Sequence, residues 1–226
     1  MKKILKLLTL ILLSFSVYFI YQSNKNTTII IFNIGDGVAL GLNSFKEPIY
    51  GYVDYYKDSL NTKNIYINQY AKTDLTIPYF LEELKSTPKI KKDLKESHIL
   101  FLHLGYNDIV YRMSIEESLN EKTIDKILLD IEKEYEQLKK EIRKYYSNPI
   151  IVIGCLEPNK EDFYLKKAIK TWNQYLEKDK DIIYIDTFYL LKNRKKYFSN
   201  PNSYYPNFQG YQQISKKIIE KTLENQ

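Results

Sequence analysis

Apolar residues recur along the chain with two different periods, and together these predict strands separated by helices. Short runs rich in β-branched residues have the length of buried strands. Longer stretches with an apolar residue every three or four positions, and charges on the opposite face, have the pattern of amphipathic helices. The predicted strands are 29–35, 64–68, 97–104, 149–154 and 182–185, and the predicted helices are 49–60, 79–84, 121–146, 161–176 and 209–223.

This alternation predicts one α/β domain of three layers, in which a parallel sheet of about five strands is covered by helices on both faces. The first predicted strand ends in a sharp corner, because the apolar run from Ile29 leads into Gly35, Asp36 and Gly37, with a further glycine at Gly41. In open α/β sheets, ligands bind at the carboxyl ends of the strands. We therefore expect functional residues at this corner.

The first 24 residues predict a membrane anchor and the start of a polar linker. A basic segment with Lys2, Lys3 and Lys6 precedes an apolar stretch that ends near Tyr21, and this order places the following domain outside the cytoplasm. The stretch has no small residues before a cleavage site and no lipobox cysteine. Although it is shorter than the roughly 20 residues that span a bilayer comfortably, we expect an uncleaved, single-pass signal anchor in the cell membrane, with the domain at 25–226.

Composition limits the chemistry that this domain can perform. The formal net charge of +6 is spread among many acidic neighbours, which does not indicate a nucleic-acid partner. Two histidines and one cysteine match no metal-ligand spacing, and no cofactor motif is present, since a phosphate loop would need a lysine and Asp36 would repel an anion. Cys155 lies in an apolar run and is expected to be a buried small hydrophobe.

Three sequence blocks, taken in order, resemble those of the SGNH, or GDSL, hydrolase family. The blocks are GDGVALG at 35–41, GYND at 105–108 and NSYYPNFQGY at 202–211. The resemblance covers about residues 28–224. It implies a flavodoxin-like three-layer α/β/α fold and, in an intact member, an ester-cleaving site built from serine, histidine and aspartate.

The chain departs from the family at the catalytic positions. Gly37 stands where the family has its serine, Asn202 where it has aspartate, and Tyr205 where it has histidine. The glycine that helps to form the family's oxyanion hole is also absent from 68–74, so a backbone N–H near Lys72 or Thr73 would have to replace it.

The residues at these positions cannot perform the usual reaction. Gly37 has no side chain, and the tyrosine phenol has an ordinary pKa near ~10, so Tyr205 is a donor at neutral pH and not a base. Asn202 supplies no charge. Asp36 is expected to accept backbone N–H groups at the corner, and Asn107 could either donate to an oxygen of a bound ester, acetyl group or sugar or fix its own loop.

Two functions remain open on this sequence. The first is a catalytically inactive, membrane-anchored protein that binds an acylated or glycan envelope component, or a protein partner, through Asp36, Gly37, Asn107 and Tyr205. The second is an active esterase, lipase-like or acyl-transfer hydrolase with relocated groups, in which His103 is the nearer substitute base. His98, at the opposite end of the same predicted strand, is a weaker candidate. The sequence does not indicate the ligand or the oligomeric state.

Overall fold

A parallel sheet runs through the centre of the domain. The structure, a computed structural model, describes residues 28–60, 64–158 and 162–224. Its five strands lie in the order β2-β1-β3-β4-β5. Each neighbouring pair is parallel, as the sequence predicted. The strands are β1 (Thr28–Gly35), β2 (Asn64–Ala71), β3 (Ile99–His103), β4 (Ile150–Ile153) and β5 (Ile182–Ile185).

Helices cover both faces of this sheet. One face carries the middle of the chain, and the other carries the first and last helices. The helices are α1 (Tyr52–Ser59), α2 (Ile77–Ser86), α3 (Pro88–Glu96), α4 (Tyr106–Ser114), α5 (Glu121–Ile142), α6 (Phe163–Lys178), α7 (Arg194–Tyr197) and α8 (Phe208–Glu224).

Alternate residues of each strand contribute side chains to the two apolar layers, because successive side chains of a strand point to opposite faces of the sheet. Phe32 and Leu100 pack in the layer with α2 to α6, whereas Ile31 and Phe101 pack in the layer with α1 and α8. The predicted three-layer α/β/α architecture is therefore confirmed.

Several element boundaries differ from the prediction for physical reasons. The predicted elements omit α3, α4 and α7, which are short and give too few turns for a periodic pattern to stand out. The first helix begins at Tyr52 and not at residue 49, and β2 continues to Ala71. Polar residues in β2 interrupt the apolar pattern, so the sequence did not predict the last residues of the strand. An edge strand tolerates such residues, and its pairing continues through them.

The strand order places a switch point between β1 and β3, where the connections leave towards opposite faces of the sheet. The loops that follow these two strands therefore border a crevice at the carboxyl edge. None of the helices within the described ranges is long and apolar enough to cross a membrane. The anchor predicted at 1–24 lies outside the described residues.

Candidate functional site

The first and second sequence blocks meet at the carboxyl ends of β1 and β3. The backbone N–H of Asp36 donates to the carbonyl of His103 over 3.3 Å. A Cβ atom at Gly35 would lie 2.5 Å from that carbonyl oxygen. Only glycine allows the two strand ends to approach this closely, so Gly35 fixes the crevice at its base.

Asp36 and His103 form a buried pair beneath this crevice. Oδ1 of Asp36 accepts the backbone N–H of Val38 at 2.8 Å and lies 2.9 Å from Nδ1 of His103. The histidine is fully buried, its Nδ1 contact is not directed as a hydrogen bond, and its Nε2 has no partner among the described residues. Asp36 thus fixes the corner of the first block, and His103 lies below the surface on which a ligand would bind.

Tyr205 occupies the space where a side chain on residue 37 would lie. A Cβ atom at Gly37 would be 2.6 Å from Cε1, 2.7 Å from the hydroxyl oxygen and 2.8 Å from Cζ of Tyr205. These separations are shorter than any real carbon contact, so the ring takes the room that a serine would need. The first and third sequence blocks are therefore in direct contact through Gly37 and Tyr205.

The phenol of Tyr205 is kept protonated by its surroundings. Burial and the nearby Asp36 carboxylate both raise its pKa, since each disfavours a phenolate. Its backbone N–H donates to Oγ of Ser203 at 3.0 Å, and Arg194 donates to the carbonyls of Ser203 and Pro201. The segment that carries Tyr205 is thus tied to α7, and the hydroxyl is available as a donor.

Asn202, the residue at the family's aspartate position, lies on the exposed part of the same segment. Its backbone N–H donates to Oδ1 of Asn200 at 2.9 Å, a turn of the kind that asparagine side chains commonly make. The residue is exposed. Its amide cannot supply the charge that an aspartate would bring to this position.

The amide of Asn107 is committed to the loop that precedes α2. Nδ2 donates to the carbonyl oxygens of Thr73 and Leu75, each at 3.0 Å, and an amide has only two such hydrogens. The backbone N–H of Lys72 donates to the carbonyl of Gly35 at 3.0 Å. Two donors that could stabilise an oxyanion are therefore already used within the protein, which favours the loop-fixing role of Asn107.

Asp108 is a buried acid that the sequence analysis did not single out. Its Oδ1 accepts the backbone N–H of Ile77 at 3.0 Å, at the first turn of α2, while its Oδ2 has no partner in the described part of the chain. Burial raises its pKa to about 7, and the bond from Ile77 opposes that rise. The sequence feature that could have pointed to Asp108 is its position directly after Asn107 in the second block.

A layer of aromatic residues supports the second block from below. The rings of Tyr106 and Tyr204 are stacked with centroids 3.7 Å apart. Gly105 has φ of 107°, and a Cβ atom there would lie 2.2 Å from Nε1 of Trp172. Glycine is required at this position both by its backbone angle and by the indole beneath it.

An open cavity of about 800 Å³ extends from Tyr205 along α4. Thr73, Pro78, Asn107, Tyr111, Ile115 and Tyr205 are among the residues that line it. Tyr111 and Ile115 are well exposed at its rim, whereas Asp36 and His103 do not line it. The cavity thus combines an apolar rim with polar side chains, which include Asp74, Asp108 and Arg112 besides Tyr205.

The described residues contain no group of three or more histidine, cysteine, aspartate or glutamate side chains placed to hold a metal ion. Cys155 is buried, and burial raises the pKa of its thiol well above the ordinary value. Its backbone N–H and carbonyl are both bonded to Asn173, so it serves the core.

The fold is similar to those of solved esterases and lipases. The lipase Lip_vut3 from a goat rumen metagenome superposes with a TM-score of 0.70 at 23% identity, covering 86% of this chain and 97% of that one. A lipolytic G-D-S-L family protein from Veillonella parvula DSM 2008 gives 0.62 at 16% identity, with coverage of 86% and 97%. Axe2, an acetylxylan esterase from Geobacillus stearothermophilus, gives 0.60 at 14% identity, with coverage of 86% and 93%.

The Axe2 structures include catalytic mutants changed at a serine, an aspartate and a histidine. Among curated proteins, the chain is 24% identical over 217 residues to YpmR of Bacillus subtilis (strain 168), described as uncharacterized, covering 88% of this chain and 84% of that protein. No protein-family model matches the chain. The chain has the fold of the SGNH, or GDSL, hydrolases.

Proposed function

We propose that this protein is a membrane-anchored, extracytoplasmic binding protein in which the SGNH hydrolase site no longer cleaves esters. The observation that carries the proposal is the contact between Gly37 and Tyr205, because the ring lies within 2.8 Å of the place where the nucleophile's Cβ would be. The side chain that would attack and the side chain that would accept its proton are both replaced.

The magnitude of this loss supports inactivity. Removing the serine or histidine from a catalytic triad costs on the order of 10⁶-fold in turnover, and only about 10³- to 10⁴-fold acceleration remains from the oxyanion hole and binding. Here the amide of Asn107 and the N–H of Lys72 are already bonded to the protein. The residual contribution is therefore reduced as well.

Relocated catalysis has little support from the geometry. His103, the nearer substitute base in the sequence, is fully buried and does not line the cavity. A general base must reach the proton that it removes, directly or through one water molecule. The buried pair with Asp36 is better explained as a support of the corner.

The cavity beside Tyr205 has groups that suit a ligand with an intact acyl group or sugar hydroxyls. The protonated Tyr205 hydroxyl lies beside the vacated nucleophile position and can donate to a carbonyl or hydroxyl oxygen without attacking it. The apolar rim at Tyr111 and Ile115 can cover an acyl chain or a sugar face. We propose an acylated or glycan component of the cell envelope as the ligand, with a protein partner as the alternative occupant.

The anchor part of the proposal rests on residues 1–24, whose basic and apolar segments have the order of a signal anchor. Protease added to intact wall-less cells should digest the domain while the protein stays in the membrane fraction. A soluble mature form that begins near residue 24 would contradict the anchor.

Hydrolysis of a small activated ester tests the inactive site. The unmodified protein should show no turnover above buffer. The triple variant Gly37→Ser, Asn202→Asp, Tyr205→His should gain slow turnover, limited because each missing oxyanion donor costs about 10²- to 10³-fold. The variant Gly37→Ala, Asn202→Asp, Tyr205→His is the matched control. Robust turnover by the unmodified protein that disappears with His103→Gln would replace this proposal with an active hydrolase.

A further inference from the structure

β2 is an edge strand whose outer side has no partner strand within the described ranges. Among the residues that the structure describes, it pairs only with β1, over all of Asn64–Ala71. The N–H of Lys72 donates to the carbonyl of Gly35 in β1, and backbone groups alternate in direction along a strand. The N–H and C=O groups that point away from the sheet are therefore those of Ile65, Ile67, Gln69 and Ala71.

The sequence of this edge lacks the features that usually prevent pairing. Natural edge strands are commonly short, charged, interrupted by proline or bulged. β2 spans eight residues, NIYINQYA, and has no charged residue, proline or glycine, in a chain that is 27% charged. Tyr66 is 62% exposed on it.

The opposite edge of the same sheet is built differently. β5 has only four residues, and the groove along it is lined by Asp179, Asp186, Lys217 and Lys221. One edge of the sheet is thus a short strand beside a groove lined by charged side chains, while the other is a long strand without charged residues. This asymmetry indicates that β2 is not an exposed edge in the working protein.

We propose that β2 pairs antiparallel with β2 of a second copy, so that two domains share one continuous ten-stranded sheet. Symmetric dimers are the commonest assemblies of identical chains, and a two-fold interface requires a self-complementary surface. β2 meets this requirement, because it has no charge to repel its own copy and has polar amides near its middle.

The self-complementarity also selects a register. With the two-fold axis at Asn68, residues 65 and 71 pair across the interface, as do 67 and 69, so every outward N–H and C=O of the strand finds a partner. Tyr66 then lies opposite Tyr70 of the second copy in a pair without backbone bonds, where side chains approach most closely. An axis at Ile67 would instead place Tyr66 opposite Asn68 of the second copy.

This arrangement fixes where the two clefts lie. Asn68 is level with Phe32 of β1, so the two copies of Thr28 are separated by about 26 Å along the strand direction at ~3.3 Å per residue. The clefts open at opposite ends of the joint sheet. When both copies are anchored, the strands run along the membrane surface.

Disulfide trapping in the full chain tests the register. Directly opposed residues that lack backbone bonds have Cα atoms about 4.5 Å apart, within the range that a disulfide spans. Asn68→Cys should form a covalent dimer with oxidised glutathione in native membranes. Tyr66→Cys is the matched control: its side chain is more exposed, but its own copy lies about 13 Å away along the strand, so it should give no dimer.

Charge complementation provides a second readout that does not need a disulfide. Asn68→Lys and Asn68→Asp should each be monomeric in detergent by light scattering, because like charges meet at the axis, and an equimolar mixture should regain the dimer mass. A monomeric wild-type protein, equal trapping at residues 66 and 68, or a mixture that stays monomeric would each overturn the proposal.

Discussion

The buried carboxyl of Asp108 makes a quantitative prediction about how stability depends on pH. Its pKa is raised from 3.8 to about 7 in the folded protein, first by burial. Below pH ~4 the group is protonated in both the folded and the unfolded chain. Between about pH 4 and 7 the unfolded chain releases the proton while the folded chain retains it, so the free energy of unfolding falls as the pH rises.

The magnitude follows from the size of the pKa difference. Each unit of pKa difference corresponds to about 1.4 kcal/mol. The rise from 3.8 to about 7 therefore stabilises the folded protein at low pH by on the order of 4 kcal/mol, and this contribution is fully lost above pH ~7. Asp108→Asn removes the titration and keeps a side-chain oxygen that can accept the N–H of Ile77. The variant should therefore gain stability relative to wild type as the pH rises from 5 to 8.

Urea unfolding at several pH values measures this difference directly. Trp172 is the only tryptophan and is 1% exposed, so its fluorescence reports unfolding of the core. Asp186→Asn is the matched control, because Asp186 also accepts a backbone N–H, that of Phe188 at 3.0 Å, but is exposed. A difference between Asp108→Asn and wild type that does not change with pH would refute the reasoning.

Three further predictions concern the residues around the cleft. Asn107→Ala removes two hydrogen bonds to backbone carbonyls and should lower the free energy of unfolding by about 1 to 3 kcal/mol. Asn148→Ala is the control: it loses one exposed hydrogen bond of 3.3 Å and should change the free energy of unfolding by no more than about 0.5 kcal/mol. Equal effects of the two substitutions would contradict the loop-fixing role of Asn107. Gly37→Ala should lower the free energy of unfolding by about 1 to 3 kcal/mol through overpacking. The same change made in a Tyr205→Ala background should cost much less, and a double-mutant cycle measures this coupling. Additive effects would mean that the ring of Tyr205 does not fill this space. A maleimide should label Cys155 only after denaturation, and rapid labelling of the native protein would show that the thiol is accessible.

The sequence predicted the architecture because the relevant signals are local. Apolar runs marked all the strands, and the long pattern at residues 121–146 identified α5. The nine residues of α4 were missed, because a short helix that follows a glycine with positive φ shows too little periodicity. The end of β2 was missed because the pairing of an edge strand depends on its neighbour more than on its own side chains.

The site was predictable only in part, because its properties depend on contacts between distant segments. The family resemblance picked out Gly37 and Tyr205, but the filling of one position by the other follows only from the fold. Asn107 was left with two interpretations, since its bonds to Thr73 and Leu75 span more than 30 residues. The burial of Asp108 against Ile77, 31 residues away, likewise depends on the fold and could not be predicted from the local sequence.

Reaction with a serine-directed phosphonate tests the central claim most directly. Intact-mass measurement should find no adduct on the unmodified protein, because residue 37 has no hydroxyl and Tyr205 fills its place. The variant Gly37→Ser, Asn202→Asp, Tyr205→His should gain one phosphonyl group at position 37, and the variant with Gly37→Ala in its place should gain none. A stoichiometric adduct on the unmodified protein would contradict the account, since it would reveal an activated nucleophile elsewhere in the cleft.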